Sequence, residues 1–120
     1  MNQKRILLAA CFLGFLAVAF GAFGAHAWKA VLQNYGRADT FELAVRYQFY
    51  HACVLLFLGL YNKPSAALSA VFFITGIFLF SGSLYFLALT NSTPLVMVTP
   101  VGGIFLLLGW GYLVWWLLKN

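Results

Sequence analysis

Residues 6–28 read ILLAACFLGFLAVAFGAFGAHAW, 23 positions without a formal charge. Wound as an α-helix they reach about 35 Å, enough to cross roughly 30 Å of hydrocarbon. Lys4 and Arg5 stand just before the run. That pattern also begins a signal peptide, and Ala25-His26-Ala27 imitates a small-residue cleavage site. The uncharged stretch Ile6–Ala27 is longer than a typical signal core, so a retained membrane helix is expected. Two further uncharged stretches, Ala66–Thr90 and Leu95–Leu118, also have spanning length. Hydrophobic residues make up 64% of the 120-residue chain and charged residues 8%. A soluble domain carries about a quarter charged residues. So few charges cannot clothe a water-facing surface, and lipid must be the solvent. An open sheet cannot satisfy its backbone in lipid, which leaves helices. The net charge of +5 comes from only seven scattered Lys and Arg, too sparse for a nucleic-acid surface.

The remaining span is less obvious. Its uncharged run, Tyr47–Tyr61, covers only about 22 Å. The helix must therefore start earlier, and Asp39-Thr40-Phe41-Glu42 reads as an N-cap followed by an acidic residue three positions on. That start draws Arg46 below the membrane rim with Glu42 one turn before it, a spacing that favours an ion pair. The expected helices are 6–28, 40–61, 66–90 and 95–118, in one domain spanning residues 1–120. A polar loop, Lys29–Asp39, joins the first two. Asn62-Lys63-Pro64-Ser65 and Asn91-Ser92-Thr93-Pro94 make the other turns. Short connections make neighbours antiparallel, so the expected fold is an all-α, up-down-up-down membrane four-helix bundle.

Basic residues orient such a bundle. The side holding both termini carries Lys4, Arg5, Lys63 and Lys119 without acids. The opposite side carries Lys29, Arg37 and Arg46 with Asp39 and Glu42 among them. Both termini are expected in the cytoplasm, with the chain in the cell (inner) membrane. Counting up from the terminal side puts Gly21, Arg46 and Ser81 at about 22 Å, with Gly102 and Gly103 within about 2 Å of them. His51 falls near the midplane at about 15 Å, and His26 near the outer rim at about 30 Å. A polar layer in the non-cytoplasmic half is therefore expected.

Each motif has a plain structural reading beside a functional one. Ala10, Gly14, Ala17, Gly21 and Gly24 form a smooth stripe suited to close helix packing. Arg46 is costly in hydrocarbon, so it either pairs with Glu42 or meets a ligand or partner. Gln48 and His51 share a face beside Tyr47. Their plain role is an interhelical hydrogen bond to Ser81, Ser83 or Tyr85, and their functional role is proton handling or ligand contact. Thr99-Pro100-Val101-Gly102-Gly103 reads as a kink with a tight contact, or as a cavity lining. Trp28, Tyr61, Trp115 and Trp116 suit interfacial anchoring. Cys11 and Cys53 lie in apolar runs without metal or redox spacing. The two histidines differ in depth by about 15 Å, which argues against shared haem, and zinc lacks ligands. No cofactor, metal or catalytic residue is expected. Ser81 or Ser83 with His51 could be drawn as a hydrolase, but nothing in their spacing selects that chemistry.

Together the motifs Gly21-Ala22-Phe23-Gly24-Ala25-His26, Arg46-Tyr47-Gln48-Phe49-Tyr50-His51-Ala52, Ser81-Gly82-Ser83-Leu84-Tyr85, Thr99-Pro100-Val101-Gly102-Gly103 and Gly109-Trp110 resemble the YgdD/YwdK-like family. These are small bacterial inner-membrane proteins of unknown function, with mitochondrial-type relatives in eukaryotes. The match covers nearly the whole chain with the motifs in the family's order. Ala27-Trp28 departs from it, since relatives more often carry glycine after the histidine. The resemblance implies a four-helix membrane protein and supplies no activity or cofactor. The residues themselves favour a non-enzymatic protein binding a lipid, hydrophobic ligand or membrane partner through His26, Glu42, Arg46, Gln48, His51, Ser81, Ser83, Tyr85, Thr99 and Gly102. The alternatives are a small oligomeric transporter or channel and, third, an intramembrane enzyme using His51. Expected partners are membrane lipids and a homo-oligomer or larger membrane complex, not nucleic acid.

Overall fold

A computed structural model describes residues 1–120 and is helical throughout. The helices are α1 (Gln3–Ala25), α2 (Lys29–Tyr35), α3 (Ala38–Tyr61), α4 (Pro64–Thr90) and α5 (Val98–Lys119). All but α2 are long and apolar enough to span a membrane. The bundle measures 50 × 26 × 18 Å along its principal axes.

Local chemistry sets the ends of these helices. The Asn2 side chain caps α1 by accepting from the Arg5 amide at 2.9 Å. Asn62 and Asn91 end α3 and α4 in the left-handed conformation, at φ 51° and 53°. Pro64 then opens α4 at a position where its missing N–H costs no helical bond.

Six helix ends differ from the sequence reading, and three of them change how the site is built. The first span stops at Ala25, because the chain turns at His26–Trp28 and the Trp28 amide bonds back to the Phe23 carbonyl at 2.8 Å. The segment read as a polar loop instead holds the two-turn helix α2, ended by Gly36 at φ 65°. As a result α3 starts at Ala38 with Arg37 at its N-cap. Asp39 therefore lies within the first turn and makes no cap, although its charge still suits the helix dipole there. At the last turn, Pro94–Met97 coil once and α5 begins at Val98. Pro100 thus falls in the first turn of α5, where no amide has a helical partner to lose, and the expected kink has no cause.

The spans pack as an open row, α1 on α3, α3 on α4 and α4 on α5. The backbones of α3 and α5 do not approach each other, nor do those of α1 and α5. Small residues permit the contacts. The α1 stripe meets α3: a Cβ placed on Gly14 would lie 3.9 Å from that of Ala52, and one on Gly21 would lie 3.5 Å from Val45. Gly24 lies under the Phe41 ring. Between α4 and α5 the fit is closer, with Gly102 against the backbone of Leu79 and Phe80, Gly76 under Leu106 and Gly109 under Phe73. Leu13, Leu55, Phe73, Ile77 and Leu106 fill the centre. Outward-facing Phe15, Phe78 and Leu107 stay exposed, as lipid-facing side chains must.

The Gly102 contact is with backbone, which cannot swing aside. Gly102→Ala is expected to lower stability by about 1–3 kcal/mol in thermal unfolding of the purified protein. Gly82→Ala, where a Cβ meets nothing within 4 Å, is expected to change it by less than about 0.5 kcal/mol.

Candidate functional site

The residues expected to form one polar layer are distributed by α3 among separate surroundings. Gln48 is buried, and its amide bridges three helices. It donates to the Leu13 carbonyl of α1 at 2.8 Å and accepts from the Tyr85 hydroxyl of α4 at 2.6 Å. Four residues earlier on the same face, the Ala44 carbonyl accepts from the Ser81 hydroxyl at 2.8 Å. Ser83 bonds to Thr99 across α4 and α5, one turn from the Gly102 contact. His26 stands apart, exposed in the turn after α1.

His51 faces α5. Its Nδ1 lies 2.8 Å from the Tyr47 carbonyl, which can only accept, so Nδ1 carries the hydrogen. Nε2 is then the acceptor for the Trp110 indole N–H at 3.2 Å. Of the partners expected for Gln48 and His51, Tyr85 bonds Gln48, Ser81 and Ser83 are engaged elsewhere, and His51 instead meets Trp110 of α5, which the sequence reading quoted only within a family motif. A Ser–His pair does not form. No three His, Cys, Asp or Glu side chains come together to coordinate a metal.

Arg46 and Glu42 lie on the other flank of α3, joined at 2.6 Å. Their side chains remain 58% and 57% exposed, so the pair leaves most of the guanidinium's five donors free. They border a groove between α1 and α3. Its upper part, about 520 Å³, is lined by Gly21, Gly24, Lys29, Gln33, Glu42 and Arg46, among others. Next comes a hollow of about 280 Å³ that shares Gly21, Val45 and Arg46 with the upper part. This leads, through the shared Val18 and Phe49, to an apolar hollow of about 610 Å³ lined by Ala10, Cys11, Gly14, Ala52, Cys53 and Leu56. One continuous groove therefore runs from two cations and an acid to a purely apolar end.

Reading 29–39 as loop hid Lys29 and Gln33 from the site, since only the helical turn of α2 brings them over α1 and α3. Cys11 and Cys53 flank one groove, a proximity that nothing in their sequence spacing signals.

Gln48→Leu would strand the Tyr85 hydroxyl and the Leu13 carbonyl. It is expected to cost about 1–2 kcal/mol in unfolding measurements, and adding Tyr85→Phe to recover part of that loss.

Residues 20–103 match the family described as "Protein of unknown function (DUF423)". The chain is 39% identical to a UPF0382 membrane protein of Staphylococcus epidermidis, over 93% of each chain. It is 37% identical to a UPF0382 membrane protein of Haemophilus influenzae, over 92% of this chain and 90% of that one. The UPF0382 inner membrane protein YgdD of Escherichia coli K12 is 35% identical over 95% of this chain and 89% of its own. No solved structure matches the chain. With four apolar spans and relatives that align over nearly its whole length, the chain belongs to this DUF423/UPF0382 family of membrane proteins of unknown function.

Proposed function

We propose that the chain binds an anionic phospholipid along the α1–α3 groove, with the phosphate at Arg46 and Lys29 and an acyl chain lying over the small-residue stripe. The observation that carries this reading is the groove's polarity. Two cations and one acid stand at its upper end, and apolar side chains with Gly14 and Gly21 line the rest. Arg46 to Leu56 spans about 15 Å of helix axis, a length suited to the upper part of an acyl chain. A guanidinium pairs bidentately with phosphate, and an anionic partner offsets the cost of holding Arg46 near hydrocarbon.

A binding role rather than a catalytic one is supported by the engagement of the buried serine hydroxyls Ser81 and Ser83 and of the His51 imidazole with groups of neighbouring helices. Ser81 bonds Ala44, Ser83 bonds Thr99, and both His51 nitrogens are used. On this reading the lipid belongs to the non-cytoplasmic leaflet. The support is the acid-free cluster Lys4, Arg5, Lys63 and Lys119 on the terminal side.

Native mass spectrometry of protein extracted from phosphatidylglycerol nanodiscs tests the binding. Wild type is expected to retain one phosphatidylglycerol and the Lys29→Ala/Arg46→Gln double variant to lose at least tenfold in occupancy. Equal retention by both sinks the reading. Orientation is read separately with a membrane-impermeant maleimide in a Cys11→Ala/Cys53→Ala background. Ser92→Cys is expected to label in intact cells and Asn120→Cys only after permeabilisation. The opposite pattern inverts the topology.

A further inference from the structure

The α1–α3 groove has a direction. Its apolar end lies at Ala10 and Leu56, and its charged mouth at Lys29, Glu42 and Arg46. An acyl chain follows the apolar end. A lipid whose phosphate rests on Arg46 and Lys29 therefore sends the rest of its headgroup out through the mouth, which Glu42 and Gln33 also line. Glu42 stands one helical turn, about 6 Å, nearer the start of α3 than Arg46. By contrast, the two hollows in the cleft between α3 and α5 hold no Lys, Arg, Asp or Glu.

The mouth is not uniformly basic. The Glu42–Arg46 bond uses one carboxylate oxygen, Oε1, and one guanidinium nitrogen, Nη2. Nη1 and Nε of Arg46 remain for a phosphate, and Oε2 of Glu42 remains as an acceptor. A phosphate held by Arg46 thus lies beside a carboxylate that faces the same hollow. Two cations against one acid leave the mouth with one net positive charge, which a single phosphodiester charge cancels. A second negative charge meets Glu42 with no cation left to balance it. An ammonium adds a cation beside Lys29 and leaves the mouth positive. A hydroxyl brings no charge and donates to the free carboxylate oxygen, a charge-assisted bond. The Gln33 amide, which both donates and accepts, suits a neighbouring hydroxyl.

We propose that Glu42 sorts lipids at this mouth, admitting a singly charged phosphodiester with a hydroxyl-bearing headgroup of the phosphatidylglycerol kind and turning away phosphomonoesters. This rests on the phospholipid reading of the groove and adds to it the class of headgroup and the residue that selects it. An exposed ion pair contributes little to stability, so bracing Arg46 is a small part of what this carboxylate does. A fixed negative charge beside a bound phosphate decides which anion fits.

The test places the full chain in phosphatidylcholine nanodiscs holding equal amounts of phosphatidylglycerol, phosphatidic acid and phosphatidylethanolamine with the same acyl chains. The buffer is at about pH 8, where a phosphomonoester carries its second negative charge. Retained lipids are counted by native mass spectrometry. Wild type is expected to retain phosphatidylglycerol at least about fivefold over either competitor. Glu42→Gln removes the charge and keeps an acceptor, and is expected to bring the ratio of phosphatidylglycerol to phosphatidic acid within about twofold of even, through gained phosphatidic acid. Glu42→Asp keeps the charge and is expected to keep the preference. The ratio is read within one sample, so a variant that folds in lower yield still reports it. If Glu42 only braces Arg46, Glu42→Gln weakens both anionic lipids alike and leaves their ratio unchanged; that result overturns the proposal. So does a wild type that retains phosphatidic acid or phosphatidylethanolamine as well as phosphatidylglycerol. Retention of no anionic lipid above the phosphatidylcholine background sinks the phospholipid reading itself, and the proposal with it.

Discussion

The Gln48 amide holds the centre of this bundle. It reaches α1 through the Leu13 carbonyl and α4 through the Tyr85 hydroxyl, so α3 is fastened on both sides by one side chain. In lipid there is no water to satisfy a stranded amide, which makes each of these bonds a condition on how the helices are rotated. The Ser81–Ala44 bond repeats the constraint one turn away. With α3 held in that rotation, Arg46 is turned to one flank and His51 to the other.

The rest of the assembly follows from close approach. Lipid tails are as apolar as the helix surfaces, so helices associate through packing and hydrogen bonds rather than through the hydrophobic effect. The α1 stripe lets Gly14 and Gly21 approach α3, and Gly102 lets α5 touch the α4 backbone. These contacts make neighbouring pairs but do not close a ring. The outer helices α1 and α5 each have one main neighbour, and the row has a groove beside α1 and a cleft beside α5.

The two hollows differ in chemistry because different segments border them. The short helix α2 carries Lys29 over the end of the α1–α3 groove, beside Glu42 and Arg46. The cleft toward the termini has only aromatic and aliphatic walls around Ser65. A membrane protein of this size can therefore present a charged-mouth groove and a neutral pocket on the two flanks of one helix. The family it belongs to is described by location rather than activity.

Much of this was legible in the sequence. The four spans follow from uncharged runs and the thickness of the bilayer. The Glu42–Arg46 pair follows from helical spacing, and the turns from Asn62, Pro64 and Asn91. The relative depths of Gly21, Ser81 and Gly102 follow from counting, since every residue adds the same rise. What only the tertiary structure decided is rotation and neighbour. A soluble helix advertises its buried face by polarity, but here lipid-facing and protein-facing surfaces are both apolar, and the pattern along one helix does not say which side meets which partner. The pairing of His51 with Trp110 and of Gln48 with Tyr85 depends on that choice. So does the division of the expected polar layer between the two flanks of α3, because residues at one depth meet only if their helices turn them toward each other.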